Sequence, residues 1–295
     1  MKKTLFAPLA LSLLLLATPA LAEPLKVVAS FSVIGDMTQE VGGDKIALTT
    51  LVGPDGDAHT FEPAPKDAKT LHDAGLIIIN GIHFEGWIEK LAKASATKAP
   101  YVVASFGITP RMMNEDGENV LDPHAWQSLK NGIIYVRNIE AGLAKADPEN
   151  AATYKANADR FVERLKKLDT WTRTEISSIP ADKRKVISTH DAFGYFGDAY
   201  GVTFLAPAGL STDAEPSAGS LGGLIDQIKT EKIKALFIEN MSDPRLMTTL
   251  TRETGATLSG ELYSDALSPA DGPAASYPAM FEYNVPKLVA AMKLN

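Results

Sequence analysis

The sequence predicts an α/β fold of two lobes, each with a mainly parallel sheet flanked by helices, joined by one long rigid helix. Three observations predict it. Short apolar, β-branched runs alternate with amphipathic stretches in both halves of the chain, the pattern of parallel sheets covered by helices. Runs such as Leu76–Asn80 (LIIIN) show no polar alternation, so both of their faces are buried. Between the halves, residues 147–177 read as one amphipathic helix without a glycine, stopped by Pro180. Tyr154, Phe161, Leu165, Leu168 and Ile176 form its buried stripe. Asp147 is placed to cap it, and Pro148 suits its first turn. At about 1.5 Å per residue it would run roughly 45 Å, the length of a strut between lobes.

The first half opens with a strand at Leu25–Ser30 and a helix at Phe31–Val41 that ends at Gly42-Gly43. A second strand, Ile46–Val52, closes in the turn-rich stretch Gly53–Asp57, and His59 follows. A helix over Lys66–Ala74, the strand Leu76–Asn80, a loop and helix over Gly81–Ala94 and a strand at Tyr101–Ser105 come next. Residues 107–123 read as a loop, His124 sits just after it, and Ser128–Ala144 reads as a helix. Beyond the strut the pattern repeats. Lys185–Thr189 is a strand with His190 at its carboxyl end, and Asp191 is placed to cap a helix over Ala192–Tyr200. Strands at Val202–Leu205, Ile233–Ile238 and Thr257–Tyr263 alternate with helices at Ala218–Glu231 and Arg245–Thr254, and a last helix covers Tyr277–Met292. Asp265 lies just past the final strand. The expected organisation is therefore a signal peptide over 1–22, an N-terminal lobe over 23–146, the linking helix over 147–177 and a C-terminal lobe over 178–295.

The first 22 residues carry a basic start, an apolar stretch from Leu5 to Ala17 and the small-residue cleavage site Ala20-Leu21-Ala22. Without them the chain has 27 basic against 36 acidic residues, a formal charge of −9. That balance argues against nucleic acid as a partner, which would need a basic face. There is no cysteine, which excludes disulfides, thiolate metal sites and catalytic thiols. A lipid anchor attached through cysteine is excluded too. With no later apolar run of membrane length, the exported chain is expected free in a periplasm.

The residues able to carry chemistry divide across the strut: His59 and His124 before it, His190 and Asp265 after it. In parallel sheets ligands bind at the carboxyl ends of strands, where His190 and Asp265 fall directly and His59 after a short turn. Three imidazoles and a carboxylate make a competent set for a divalent first-row metal such as zinc, iron, copper or nickel. Their wide spacing is weak testimony beside a compact motif such as HExxH, which is absent. His83, in NGIHFEGW, also follows a strand and competes as a ligand, whereas His72 falls inside a helix near its C-terminal end. Glu239 either caps a turn or supports an imidazole from behind. Neither a GxSxG elbow, a GxGxxG loop nor a GxxxxGK[ST] loop is present. A secreted zinc hydrolase remains as an alternative, but it would keep a coordination position open for water, and four protein ligands leave none ready. A structural or adhesive protein would hold no stoichiometric metal.

The ordered motifs AHTFEPAP, NGIHFEGW, DPHAW, the long helix, STHDAFGYF, EPSAG, FIEN and YSDALS resemble the periplasmic metal-binding receptors of ABC transporters for zinc and manganese, the cluster A-I or cluster 9 solute-binding proteins. The resemblance runs from about Leu25 to the C-terminus. It implies a non-enzymatic, monomeric receptor that buries one metal between two lobes and delivers it to a membrane permease. It implies His59, His124, His190 and Asp265 as the ligands, in that order. Members that look like manganese receptors usually have glutamate in third place. Histidine there moves the site toward zinc, with manganese or iron as alternatives. The histidine-rich loop typical of zinc-uptake receptors is missing from RMMNEDGENVLDP.

Overall fold

A computed structural model describes residues 23–115, 118–212 and 218–295. The signal peptide expected over 1–22 and most of the EPSAG motif lie outside the described residues. The first sheet is built on β1 (Leu25–Phe31), whose residues from Val27 onward are buried on both faces. β2 (Ile46–Val52) lies on one side of it, and β3 (Leu76–Ile79) then β4 (Tyr101–Val103) on the other, every pair parallel. α1 (Ser32–Gly42), α2 (Pro65–His72) and α3 (Ile88–Ser95) make the connections that parallel strands require, and α4 (Leu129–Ala146) follows the sheet and leads to the long helix.

Residues 107–123, expected as a loop, carry a hairpin instead: β5 (Met112–Glu115) pairs antiparallel with β6 (Glu118–Leu121). Four-residue strands with little apolar alternation leave no periodic trace, so cross-strand pairing defines them rather than local pattern.

The long helix, α5 (Ala151–Ser177), has 27 residues and begins later than expected. Asp147 does not start it. Its backbone N–H closes α4 on Leu143 O at 2.8 Å, and it stands at the N-cap position, without a side-chain cap bond, of a 3-10 turn over Pro148–Asn150 that runs directly into α5. Asp147 Oδ2 instead accepts from the Tyr154 hydroxyl at 2.6 Å and the Asn150 amide at 2.7 Å, bracing the corner between the two helices. Tyr154, Phe161, Leu165, Leu168 and Ile176 are all buried, as their spacing predicts. The stripe packs against α1 and α4 on one side and α9 (Tyr277–Met292) on the other.

The second sheet has the order β10 (Thr257–Leu262), β9 (Ala235–Glu239), β7 (Lys185–Ile187), β8 (Thr203–Leu205), again all parallel. α6 (Gly194–Tyr200), α7 (Ala218–Glu231) and α8 (Arg245–Thr254) connect its strands. α6 starts after Phe193, so Asp191 does not cap it. Successive residues of these strands point to opposite faces. Ala235 and Phe237 join a core that continues through α5 into the first lobe, while Leu236 and Ile187 enter a smaller core with Leu224, Ile228, Met247 and Leu250. Among the described residues no helix is long and apolar enough to cross a membrane.

Candidate metal centre

Each of the four expected residues is held by a different piece of backbone. His59 follows the Gly53–Asp57 turn. Its N–H donates to Asp57 Oδ1 at 2.9 Å, and the Trp87 indole N–H donates to the Ala58 carbonyl at 2.8 Å. His124 leaves the β5–β6 hairpin. Its backbone N–H donates to Asp122 Oδ1 at 3.0 Å, and its ring Nδ1 lies 2.9 Å from the same oxygen. Arg111 Nη1 holds the other Asp122 oxygen at 3.1 Å. His190 follows β7, and Asp265 follows β10. Between those strands β9 ends in Glu239, whose Oε1 accepts the Thr189 and His190 backbone N–H groups at 2.9 and 3.0 Å. Glu239 Oε2 lies 2.8 Å from His190 Nδ1, off the line of an N–H, and accepts from the Ser264 hydroxyl. The Ser264 carbonyl is itself tied across the cleft, accepting from the Trp126 indole at 2.9 Å and the Gln127 amide at 2.8 Å.

These supports bring one donor atom from each residue to a single place, all within 4.8 Å of one another. Asp265 Oδ2 lies 3.2 Å from His59 Nε2, 3.6 Å from His124 Nε2 and 3.1 Å from His190 Nε2. His59 Nε2 and His124 Nε2 face each other at 3.2 Å. Two ring nitrogens this close repel unless a proton or a cation lies between them. Asp265 Oδ1, also buried, has no hydrogen-bond partner. Unpaired buried acceptors of this kind are rare and fit a cation held by the group. Phe84 covers His59 edge-on with ring centroids 4.7 Å apart, and Trp126 covers His124 at 5.4 Å, which thins the solvent around the centre.

Burial and charge act against each other here. Burial pushes the His59 imidazole down, and the nearby Asp265 carboxylate only partly offsets it. Burial also disfavours the charged form of His124, but Asp265 and Asp122 outweigh it and push the ring up to about 9. His190 is held well above the ordinary imidazole range, Glu239 and Asp265 overcoming its burial. Asp265 stays well below the usual carboxylate range despite its burial, because His124 and His190 face it. With no metal bound, the centre therefore keeps its charge balance with protons on two of its rings.

The remaining candidates fall outside this group. His83 is exposed and does not join the cluster. His72 Nδ1 lies 3.0 Å from the Ser95 carbonyl, near the end of α2. Glu239 combines the two readings left open for it, since Oε1 caps the Thr189 and His190 backbone N–H groups and Oε2 lies against the His190 ring. Asp122 has the same function toward His124, and sequence reading missed it. The available signal was an aspartate two residues before a histidine, which also occurs as Asp57 before His59.

A family model described as the periplasmic component A of the zinc-uptake complex, ZnuA, matches residues 27–291. The chain belongs to this family. It is a family of periplasmic metal-binding, substrate-binding proteins of ABC transporters, and this member brings three histidines and an aspartate together. The iron ABC transporter substrate-binding lipoprotein MtsA of Streptococcus pyogenes serotype M1 is 36% identical over 278 residues, covering 91% of this chain and 89% of MtsA. The manganese-bound periplasmic metal-binding protein of Candidatus Liberibacter asiaticus superposes with a TM-score of 0.82 at 31% identity, covering 91% of this chain and 99% of that one. The periplasmic zinc-binding protein TroA of Treponema pallidum superposes with a TM-score of 0.86 at 28% identity over the same shares. Both structures match the two-lobed α/β architecture with its long helix.

Proposed function

We propose that this protein captures one divalent transition metal, zinc in the first place, between His59, His124, His190 and Asp265, and delivers it to a membrane ABC permease for uptake. The observation that carries the reading is the convergence of three ring nitrogens and one carboxylate oxygen within 4.8 Å. The metal is cargo, and four protein donors leave no position ready for the water that a hydrolase would activate. Zinc is favoured by the chemistry of the donors. Imidazole-rich sites bind zinc more tightly than manganese or iron(II), in the order of affinity for first-row metals. A zinc tetrahedron with bonds of 2.0–2.1 Å has edges of about 3.3 Å, and the close donor pairs here lie 3.1–3.6 Å apart. Manganese or iron is the second reading, because relatives named for iron and solved with manganese share this fold.

MtsA is named a lipoprotein, but this sequence contains no cysteine to carry such a lipid, and we place the protein free in the periplasm; a monomer is part of the same proposal. The expected division into a signal peptide (1–22), lobes over 23–146 and 178–295 and a linking helix over 147–177 is part of the same proposal. Elemental analysis of protein purified without added metal, followed by competition between zinc and manganese, tests the reading. The expected result is one metal per chain, zinc displacing manganese, and stabilisation against unfolding of about 2.7 kcal/mol at a free metal concentration of 100 Kd. A chain that takes up no stoichiometric metal, or hydrolyses a test ester or peptide, would sink it.

A further inference from the structure

His59 is the one member of the group with residual exposure, 6% of its side chain against 0% for the others, so an incoming metal meets it first. A cavity of about 580 Å³ leads there from the surface, lined by His59, Ile82, His83, Met112, Asn119 and Leu210 among others. Its rim carries donors that the inner centre does not use. His83 is exposed, and among the described residues its side chain makes no hydrogen bond or ion pair. Met112, which lines the same cavity, is 53% exposed. A second cavity of about 540 Å³ reaches His190 past Thr212 and Met241, but its described lining holds no other imidazole.

The backbone under His83 is strained. Ile82 and His83 both adopt left-handed conformations, with φ of 53° and 60°. For a β-branched residue such as Ile82 this is an outlier, kept only where the surroundings over-determine it. Here they do. The buried Glu85 carboxylate accepts the Ser30 hydroxyl at 2.6 Å and the N–H groups of Asn80 and Gly81 at 2.6 and 3.1 Å, and Phe84 N–H closes the turn on Gly81 O at 3.2 Å. Strain that fixes a side chain gathers at functional sites. This turn sets an unengaged imidazole at the mouth of the path to His59.

We propose that His83 is an outer capture site for the metal, with the Met112 thioether and the Asn119 side chain as neighbouring donors. The hydrated cation exchanges one water for a His83 ring nitrogen, and that nitrogen is in turn exchanged for His59 as the ion moves inward; no electrons transfer. The inference rests on the metal-receptor reading. A relay of this kind lowers the barrier in both directions, so it changes rates and leaves equilibrium affinity alone.

The test is stopped-flow mixing of Zn²⁺ with metal-free protein, and release of bound zinc to a chelator, both followed with a zinc-sensitive dye. His83→Asn removes the ring while tolerating the left-handed backbone, and His83→Gly removes ring and strain together. Both variants are expected to slow association and release by the same factor, about tenfold, within the one to three decades over which association rates vary among variants. Kd and the single-site stoichiometry should not change. Unchanged rates would overturn the proposal, as would slowing confined to the glycine variant. A weakened Kd would make His83 an inner ligand and overturn it too. Wild-type protein that takes up no zinc would overturn the receptor reading itself, a result distinct from all of these.

Discussion

Two histidines of the centre are backed by carboxylates, Asp122 at 2.9 Å from His124 Nδ1 and Glu239 at 2.8 Å from His190 Nδ1. A proton kept on Nδ1 leaves the Nε2 lone pair for a metal, and the carboxylate raises its basicity. Asp122→Asn should therefore weaken zinc binding by about 10- to 100-fold with the fold intact, measured by chelator competition. The same carboxylates set the pH dependence. His124, pushed up to about 9, and His190, held well above the ordinary imidazole range, are protonated at neutral pH in the metal-free centre. Metal must displace both protons. Affinity then keeps rising with pH well past 6.5, where free histidine would level off, and falls about hundredfold per unit of acidification through neutrality. Calorimetry in buffers of different ionisation enthalpy should find about two protons released per metal at pH 7, and a release near zero would contradict this charge balance. In the metal-free fold the sign is opposite. The raised His124 value stabilises below the unfolded value of 6.5, and that contribution is lost as pH climbs through about 9.

α5 is more than a spacer. Its stripe of Tyr154, Phe161, Leu165 and Ile176 is part of the core that runs from Val27 in the first sheet to Met292 at the end of α9. Leu165 is fully buried, so Leu165→Ala should cost about 2–5 kcal/mol of stability. Denaturant unfolding would measure the loss, and zinc affinity at low denaturant should be unaffected, because none of the four donor residues lies on this helix. The stripe was legible in advance because helical spacing alone marks it. The start of the helix was not. The sequence Asp-Pro-Glu has the composition of a helix start, but Tyr154 draws the Asp147 carboxylate into bracing the corner instead. The β5–β6 hairpin was missed for a related reason, since neither strand is long enough to show a period.

The two lobes are tied to each other by hydrogen bonds. Leu267 N–H donates to the Ser32 hydroxyl at 2.9 Å, Tyr277 N–H to Asp36 Oδ2 at 2.7 Å, and the Trp126 indole to the Ser264 carbonyl at 2.9 Å. With a shared core beneath these bonds, a wide swing of one lobe would break many contacts together. Metal binding should therefore order the loops around His59 and His190 without changing the overall dimensions. Small-angle scattering of metal-free and zinc-loaded protein is expected to give the same radius of gyration, and a clear contraction on loading would contradict it. Local order sufficed to read the alternating strands, the long apolar stripe and the histidines at strand ends, because periodicity and strand polarity are properties of neighbouring residues. The motif order named the family for the same reason. Folding in three dimensions was needed to bring residues as distant as His59 and Asp265 to 3.2 Å and to set Asp122 and Glu239 behind the rings. It also left His83 outside. Those outcomes depend on which strands lie side by side and which loops cross the cleft, and long-range packing sets both.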